Sequence, residues 1–311
     1  MNSPKVSVVV LTKNEEKNIK NCINSIKKSS YKNIEISVID SCSTDNTIKI
    51  IKNIKGVRVY ILSAPNIGFA LKSGIKLGTG SLVFIVNGDS TINTKFIERA
   101  VKMFKNKDVA IVSGKRVEKN KNSFIGKLYA SRFKKDKVGF ISRIAGNYML
   151  KKNIILKNAP LDESIISSEE HYLCVKVISN KFKIYRLNTV SMYHNSKGEK
   201  SSILGLLKKH KWYAQGKKNV FRKLKIEEKI RFIDQDFVLF PWTIILVILS
   251  FFNSSLILCL IFPFIAEVFY LLFKGVYLDL ALVETSLSYW RSILIYLSKE
   301  AKSKKITIKK A

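Results

Sequence analysis

The chain has 311 residues, with 55 Lys and Arg against 23 Asp and Glu, a formal charge of +32. With 47% hydrophobic and 25% charged residues it holds enough apolar side chain to offset the entropy of ordering, which excludes a disordered protein. Four cysteines, Cys22, Cys42, Cys174 and Cys259, lie far apart without a CxxC pair; this excludes a disulfide framework and a zinc knuckle and predicts a reduced, cytosol-facing chain. The first apolar run, residues 6–11, is too short for a signal-peptide core, so the front of the chain is expected not to be exported. Of the basic residues 46 are Lys and 9 are Arg. A surface built to grip phosphates would lean on the planar guanidinium, so the positions of the charge say more than its sum.

In chain order, residues 5–11 are a β-branched run without helical period, predicting a buried strand. Thr12 and Asn14 are then expected to open a helix with Ile19, Ile23 and Ile26 on its inward face. Residues 34–40 predict a second strand ending at Asp40, and residues 43–47 offer caps to a helix carrying Ile48, Ile51 and Ile54. A third strand over 57–62 leads into Asn66-Ile-Gly68 and another helix; a fourth over 82–86 ends in Asn87-Gly-Asp89. This alternation predicts a mostly parallel, Rossmann-like sheet with helices on both faces. Ligands of such sheets sit beyond the C-terminal strand ends, where Asn14, Asp40 and Asn87 to Asp89 all fall. From about residue 110 the rhythm loosens, with a basic stretch over 115–137. Residues 169–178 read as helix, and 182–193 as a strand ending at His194.

Residues 237–273 carry no charge apart from Glu267. One helix of that length would reach about 55 Å, against a bilayer core of about 30 Å, and Asn253-Ser-Ser255 divides the run. It therefore predicts a transmembrane or re-entrant hairpin over 237–274. Residues 197–231 before it hold twelve Lys and Arg against three Glu, and the tail after it is basic as well. Both flanks are thus expected in the cytosol, with Lys200 and Lys305 facing it. Leu280, Val283, Leu287, Trp290, Leu294 and Leu297 form an apolar stripe opposite Thr285, Ser288, Arg291 and Ser292, predicting an amphipathic helix at the membrane interface or packed on the preceding domain. The expected domains are 1–215, a basic juxtamembrane segment over 216–236, the hairpin over 237–274, and an amphipathic helix with a basic tail over 275–311. Aromatics gather in the apolar segment instead of interleaving with Arg, so no nucleic-acid partner is expected.

Several motifs stand in a fixed order: residues 8–16 (VVVLTKNEE), residues 39–47 (IDSCSTDNT), Asn66-Ile-Gly68, Asn87-Gly-Asp89, Gly146-Asn147, Glu169-Glu170 and His194. In these the chain resembles the inverting family 2 glycosyltransferases, over roughly residues 5–215. The resemblance implies the nucleotide-sugar-binding GT-A fold, with Thr12, Asn14, Glu15, Asp40, Asn66 and Asn87 around the donor nucleotide. It implies Asp89 and His194 as ligands of a divalent cation, Mn²⁺ or Mg²⁺, and Glu170 as the general base, with Glu169 the alternative. The chemistry is consistent. A nucleoside-diphosphate leaving group develops negative charge that a cation stabilises. Imidazole tilts the metal towards Mn²⁺ and carboxylate suits either ion. Three departures stand out: Asn87 where the family has Asp, Ser41-Cys42 where it has Asp-Gly, and Glu170 where its base is usually Asp.

The expected activity is transfer of a sugar from a nucleotide donor, UDP-linked in the first instance, to a hydroxyl of a lipid-linked glycan or glycolipid. The expected place is the cytoplasmic face of the cell membrane, with membrane lipids as partners. Two alternatives remain: transfer onto polyprenyl phosphate itself, where no base is needed, and a degenerate homologue that only binds sugar nucleotides.

Overall fold

A computed structural model of the chain describes residues 3–119, 127, 130–131, 137–195, 203–233, 235–250, 262–273, 278–297 and 306–311. They divide into two compact units. The first comprises 1–119, 136–196 and 302–311; the second comprises 120–135 and 197–301. The boundary falls at 196, before the value of 215 expected from sequence, because the helix Ile203–Lys223 lies wholly in the second unit.

The first unit is built on a ten-stranded mixed sheet. Its strands are β1 (Val6–Thr12), β2 (Ile34–Asp40), β3 (Val57–Leu62), β4 (Leu82–Asn87), β5 (Ser90–Thr91), β6 (Val109–Glu118), β7 (Gly139–Ile141), β8 (Tyr148–Lys151), β9 (Lys183–His194) and β10 (Ile308–Lys310). The order is β10-β3-β2-β1-β4-β8-β6-β9-β5, with β7 paired to β9. The four strands read from sequence form the parallel part, β3-β2-β1-β4. Beyond β4 the sheet is not the mostly parallel one expected: β8 runs antiparallel between β4 and β6, and β5 and β7 run antiparallel to β9. The reason is local. β8, only four residues long, is fed by an irregular connection, so no crossover helix imposes a parallel return.

β1 (VSVVVLT) is buried along its whole length, which its unbroken β-branched run anticipates. Over it pack α1 (Ile19–Lys27), α2 (Thr47–Lys52) and α4 (Phe96–Met103), through Ile23, Ile26, Ile51 and Phe96 onto Val8, Val10 and Phe84. Between α2 and α4 in the chain lies α3 (Ile67–Leu77); α5 (Lys152–Asn158) and α6 (Glu169–Ser179) follow. α1 begins at Ile19, not at Thr12 or Asn14: residues 13–18 form a loop in which Asn14 takes φ 54°, left-handed backbone that ends any helix start there. The basic tail was not expected to be a strand. β10 pairs antiparallel with β3, and Ala311 N donates to Val59 O, so the chain's last residues close the sheet's edge.

The second unit contains α7 (Ile203–Lys223), α8 (Ile226–Phe232), α9 (Gln235–Ser250), α10 (Phe262–Phe273) and α11 (Leu278–Leu297). Among the described residues no single helix is long and apolar enough to cross a membrane. α9 has 16 residues and α10 has 12, about 24 and 18 Å of helix against a core of about 30 Å. The expected hairpin is therefore not supported, and its turn at Asn253 to Ser255 lies outside the described residues, as do Lys200 and Lys305. Helices Ile226–Phe232 and Phe237–Leu249 pass the length and composition test only as a pair bent by 101°.

The amphipathic reading of α11 is also corrected. Its polar stripe, Thr285, Ser288, Arg291 and Ser292, is buried, with Arg291 Nη1 2.6 Å from His210 Nδ1 and Nη2 donating to Ser288 Oγ at 2.7 Å. Leu297, on the stripe expected to be covered, is 68% exposed. The polar side finds partners on α7, which sequence periodicity alone does not reveal.

Candidate active site

Two loops at the C-terminal ends of β1 and β2 are bonded into one wall. Asn14 N donates to Ser43 Oγ at 2.8 Å, and Thr44 N donates to Asn14 Oδ1 at 2.8 Å. Glu15 N donates to Thr47 Oγ1 at 2.7 Å, and Asn46 N to Glu16 Oε2 at 3.1 Å. Glu15 in turn accepts from Asn18 Nδ2 at 2.9 Å. The polar residues after both strands thus hold the mouth of the sheet in one shape. Asp40 supports the same wall from below. It is fully buried and accepts from Ser43 N at 2.8 Å and from Ser43 Oγ at 2.5 Å. Burial raises its pKa above the usual carboxylate range, while those hydrogen bonds pull the other way. Thr12, buried, sits beside Asp40 in register and accepts at its backbone from Ser41 N. A Cβ on Gly88 would lie 2.7 Å from Thr12 Oγ1, so the turn between Asn87 and Asp89 passes this wall only as glycine.

Asn66 caps α3, its Oδ1 accepting from Phe69 N at 2.8 Å. Asn87 closes β4, and its backbone N–H donates to Asn147 Oδ1 at 3.0 Å. Asn147 is buried and also donates to Ser90 Oγ and Ser191 O, tying β4, β5 and β9 together behind the site.

Asp89 and His194 are brought together from 105 residues apart: Asp89 Oδ2 lies 3.1 Å from His194 Nε2. The sheet causes this, since β9 ends at His194 opposite Ser90 in β5 and beside Glu118 at the end of β6. Glu118 and Arg116, absent from the sequence reading, complete the cluster. Both Glu118 oxygens approach His194 Nδ1, at 2.9 and 2.8 Å, and Arg116 Nη2 lies 3.6 Å from Glu118 Oε2. The signal for Glu118 was available: it is a carboxylate ending a β-branched strand, as Asp40 is, but it lies within the basic stretch where the strand rhythm is broken. Burial by itself would lower the His194 pKa; hydrogen bonds to Asp89 and Glu118 outweigh it and raise that pKa above the ordinary value. A groove of about 550 Å³ opens beside Asp89, walled by Asn18, Asn21, Asn24, Lys119 and Tyr193.

Glu169 and Glu170 form the first turn of α6, entered through Ser168 in left-handed backbone, φ 64°. Burial pushes the Glu170 carboxyl up to about 8, helped by the charge of Glu169, while Arg116 and a backbone hydrogen bond to Gly146 act against the shift. Burial also raises Glu169. Arg116 therefore connects the two halves of the site, paired with Glu118 behind His194 and felt electrostatically at Glu170.

Among the described residues no group of three or more His, Cys, Asp and Glu is placed to hold a metal on its own. Asp89 and His194 nonetheless form a converging carboxylate–imidazole pair. Such a pair fits a cation that takes its remaining ligands from substrate phosphates, as Mg²⁺ and Mn²⁺ do in nucleotide sites.

Residues 7–161 match the model of the family described as Glycosyl transferase family 2. A relative from Methanococcus voltae, a dolichyl N-acetyl-alpha-D-glucosaminyl phosphate 3-beta-D-2,3-diacetamido-2,3-dideoxy-beta-D-glucuronosyltransferase, is 26% identical over 246 residues, 70% of this chain and 74% of its own. An Escherichia coli UDP-Glc:alpha-D-GlcNAc-diphosphoundecaprenol beta-1,3-glucosyltransferase is 22% identical over 187 residues, 56% of this chain and 70% of its own. GlyG and GlyA of Streptococcus pneumoniae are matched over only 38% and 22% of their lengths. Among solved structures, a mannosyltransferase from Pyrobaculum calidifontis in complex with GDP-Man and Mn²⁺ superposes with a TM-score of 0.67 at 16% identity, covering 96% of this chain and 89% of that one. At that identity the likeness shows the fold alone.

Proposed function

Starting from a chain that carries a glycosyltransferase family 2 domain and is a glycosyltransferase, we propose that it moves a sugar, with inversion, from a UDP-linked donor to a hydroxyl of a lipid-linked glycan at the cytoplasmic face of a membrane. The observation that carries this reading is the pairing of Asp89 with His194 at the strand ends, in the unit that also holds Glu170.

In this reading the joined β1 and β2 loops, through Thr12, Asn14 and Glu15, wall the nucleotide. Asp40 acts on it through Ser43, and Asn66 and Asn87 reach the ribose and diphosphate with their amides. Asp89 and His194 would hold the divalent cation, which when bound supplies positive charge against the leaving diphosphate. The acceptor oxygen attacks C1, the bond from C1 to the diphosphate oxygen breaks with its electron pair going to the nucleotide, and Glu170 takes the acceptor's proton. A base must be unprotonated to do this, and a carboxyl near 8 is a stronger base than an ordinary glutamate.

The lipid-linked acceptor is supported by two independent points. Two of the four relatives described above carry acceptors on polyprenyl carriers in their names. The second unit, moreover, turns apolar side chains outward: Val238, Trp242, Ile245 and Leu249, at i, i+4, i+7 and i+11 of α9, are each between 43% and 49% exposed. Burying Arg291, His210 and Ser288 while exposing such a stripe suits a surface that meets lipid acyl chains. The basic α7, with seven Lys or Arg between Lys208 and Lys223, suits anionic headgroups. β10 lies in the sheet that holds the site, so in this reading residue 311 and the site face the same compartment.

The test is a screen of nucleotide sugars with Mn²⁺ or Mg²⁺, reading thermal shift and slow donor hydrolysis. UDP-sugars should stabilise the protein only with the cation present. Stabilisation by no nucleotide sugar under either ion refutes the reading.

A further inference from the structure

Of the described residues around the groove of about 550 Å³, only Asp89 has a part in the reaction proposed above. One wall is a stripe along α1, with Asn18, Asn21 and Asn24 at spacings of three and Lys28 one turn further on. The facing wall is the end of β9 and the residue after β6, with Tyr193, Asn195 and Lys119. We propose that this groove binds a phosphorylated sugar at the head of the acceptor, its amides meeting the hydroxyls and its two lysines the phosphate.

The walls are bonded to each other before any ligand arrives. Asn18 Nδ2 donates to Glu15 Oε2 at 2.9 Å, which leaves its Oδ1 to accept from Asn195 Nδ2 at 2.9 Å. Asn195 N donates to Asp89 O at 3.1 Å, and Ile92 N donates to Ser25 Oγ at 3.1 Å. The start of α1 is thus held to the end of β9, and its last turns to the chain after β5. A groove kept in shape by its own bonds loses little freedom when it binds. Its volume falls within the range of about 300–1,000 Å³ usual for small-ligand sites. Such sites are mostly apolar, whereas here Ile92 and Tyr193 offer the only apolar side chains among the described residues, so an acyl chain gains little. A sugar hydroxyl both donates and accepts, as a carboxamide does, and the exposed amides of Asn21 and Asn24 can each meet such groups. Lys28 and Lys119, both exposed, only donate, and they bring charge that amides do not match. Asp89 is the one acid among the described lining residues, and its Oδ2 faces His194 at 3.1 Å. An anion on the ligand matches the lysines, and a sugar phosphate carries one. Because Asp89 also borders the proposed cation, a sugar held here lies beside the donor diphosphate.

The proposal rests on the reading of the acceptor as a glycan, and the experiment separates the two. Binding of N-acetylglucosamine 1-phosphate, N-acetylglucosamine and inorganic phosphate to the full chain is measured by titration calorimetry. EDTA is present, so that no cation at Asp89 can hold a phosphate. Wild type is compared with Asn21→Trp, whose indole would fill the groove, and UDP affinity with Mn²⁺ is the control. We expect wild type to bind the sugar phosphate at least about tenfold more tightly than either the sugar or phosphate alone. Asn21→Trp should weaken it by at least about tenfold and leave UDP affinity unchanged. Sugar phosphate that binds no better than inorganic phosphate, or equally well to both proteins, overturns the role of the groove, and binding of UDP with Mn²⁺ then leaves the transferase reading standing. Wild type that binds neither sugar phosphate nor UDP overturns both. Should Asn21→Trp not fold, Asn21→Ala with Asn24→Ala changes two exposed helix positions that suit Ala. That pair should weaken the sugar phosphate by about three- to tenfold, and undiminished binding overturns the proposal.

Discussion

The two units each have an apolar core but differ in what they leave outside it. The sheet unit packs Val8, Val10, Phe84 and Phe96 inside and sets polar residues such as Asn14 and Asp89 just beyond its strand ends. The helical unit encloses Arg291, His210, Ser288 and Ser292 and leaves Trp242, Ile245, Ile248 and Phe269 outside. The first is the arrangement of a domain folded against water. In the second, internal hydrogen bonds such as that from Arg291 Nη2 to Ser288 Oγ satisfy polar groups inside. On the membrane contact proposed for the helical unit, the contrast predicts that damage to one unit should leave the function of the other.

The largest effect expected is at Asp89. Asp89→Ala removes the carboxylate from the converging pair and should abolish donor turnover. The loss should be at least about 10³-fold, since such a transfer depends above all on stabilising the charge of the leaving group. Sedimentation with anionic vesicles should be unchanged. Retained turnover would mean that the site has been misplaced; lost vesicle binding would mean that the units are not separable.

Next comes Glu170. Glu170→Gln keeps shape and removes basicity, and should slow transfer by about 10²–10⁴-fold while donor affinity holds, whereas Glu169→Gln should lose less than about tenfold. The wild-type rate should rise with pH, reaching half its maximum near 8 and levelling off above it, because the carboxyl must lose its proton to act. Stability should move the other way. The folded protein holds this proton more tightly than the unfolded chain does, so the contribution is complete below the ordinary glutamate range and is lost as pH rises through about 8. Melting curves between about pH 6 and 9 should therefore converge in the Gln variant relative to wild type. Normal transfer by Glu170→Gln would instead point to a phosphate acceptor, which needs no base.

What the sequence made legible follows the same division. The parallel strands β1 to β4 and the polar residues at their ends are encoded locally, by β-branched runs that stop at Asp40 and Asn87. The antiparallel half was not legible, because β5, β7 and β8 are two to four residues long and gain their stability from neighbours distant in the chain. Glu118 ends a long strand, yet its place behind His194 was not legible, since only the pairing of β6 with the distant β9 sets it there. In the helical unit the sequence carries the periodicity of α11 but not the direction its polar stripe faces. A polar stripe is taken to face water unless its partner is known, and His210 lies 81 residues away from Arg291.

A smaller effect tests the outward face. Trp242→Ser with Ile245→Ser replaces two half-exposed side chains on one stripe of α9. Full burial of such side chains is worth about 1.5–3 kcal/mol each, and every ~1.4 kcal/mol is tenfold in affinity. Even partial insertion of both should therefore weaken vesicle binding by at least about tenfold. Hydrolysis of a soluble donor should not change. Unaltered vesicle binding would break the contrast between the units and return α9 to the role of an ordinary packing helix.

The smallest effect sharpens the chemistry of the sheet unit at Asn66, where one side chain is asked to do two things. Its Oδ1 caps α3 by accepting from Phe69 N, which leaves the Nδ2 amide hydrogens as the part able to reach a diphosphate. Asn66→Asp keeps an equivalent cap, because Asp and Asn are matched at that position, but removes the donor and adds a negative charge. Stability should stay within a few tenths of a kcal/mol of wild type, while donor affinity falls about three- to tenfold, the worth of one hydrogen bond. Asn66→Ala loses the cap as well and should cost about 1 kcal/mol of stability on top of a similar loss in affinity. The pair of variants separates the roles, with calorimetric melting for the cap and donor titration for the amide. If Asn66→Asp binds donor as wild type does, Asn66 serves only the fold, and the diphosphate is held from the joined loops of β1 and β2 and from Asp89 and His194 alone.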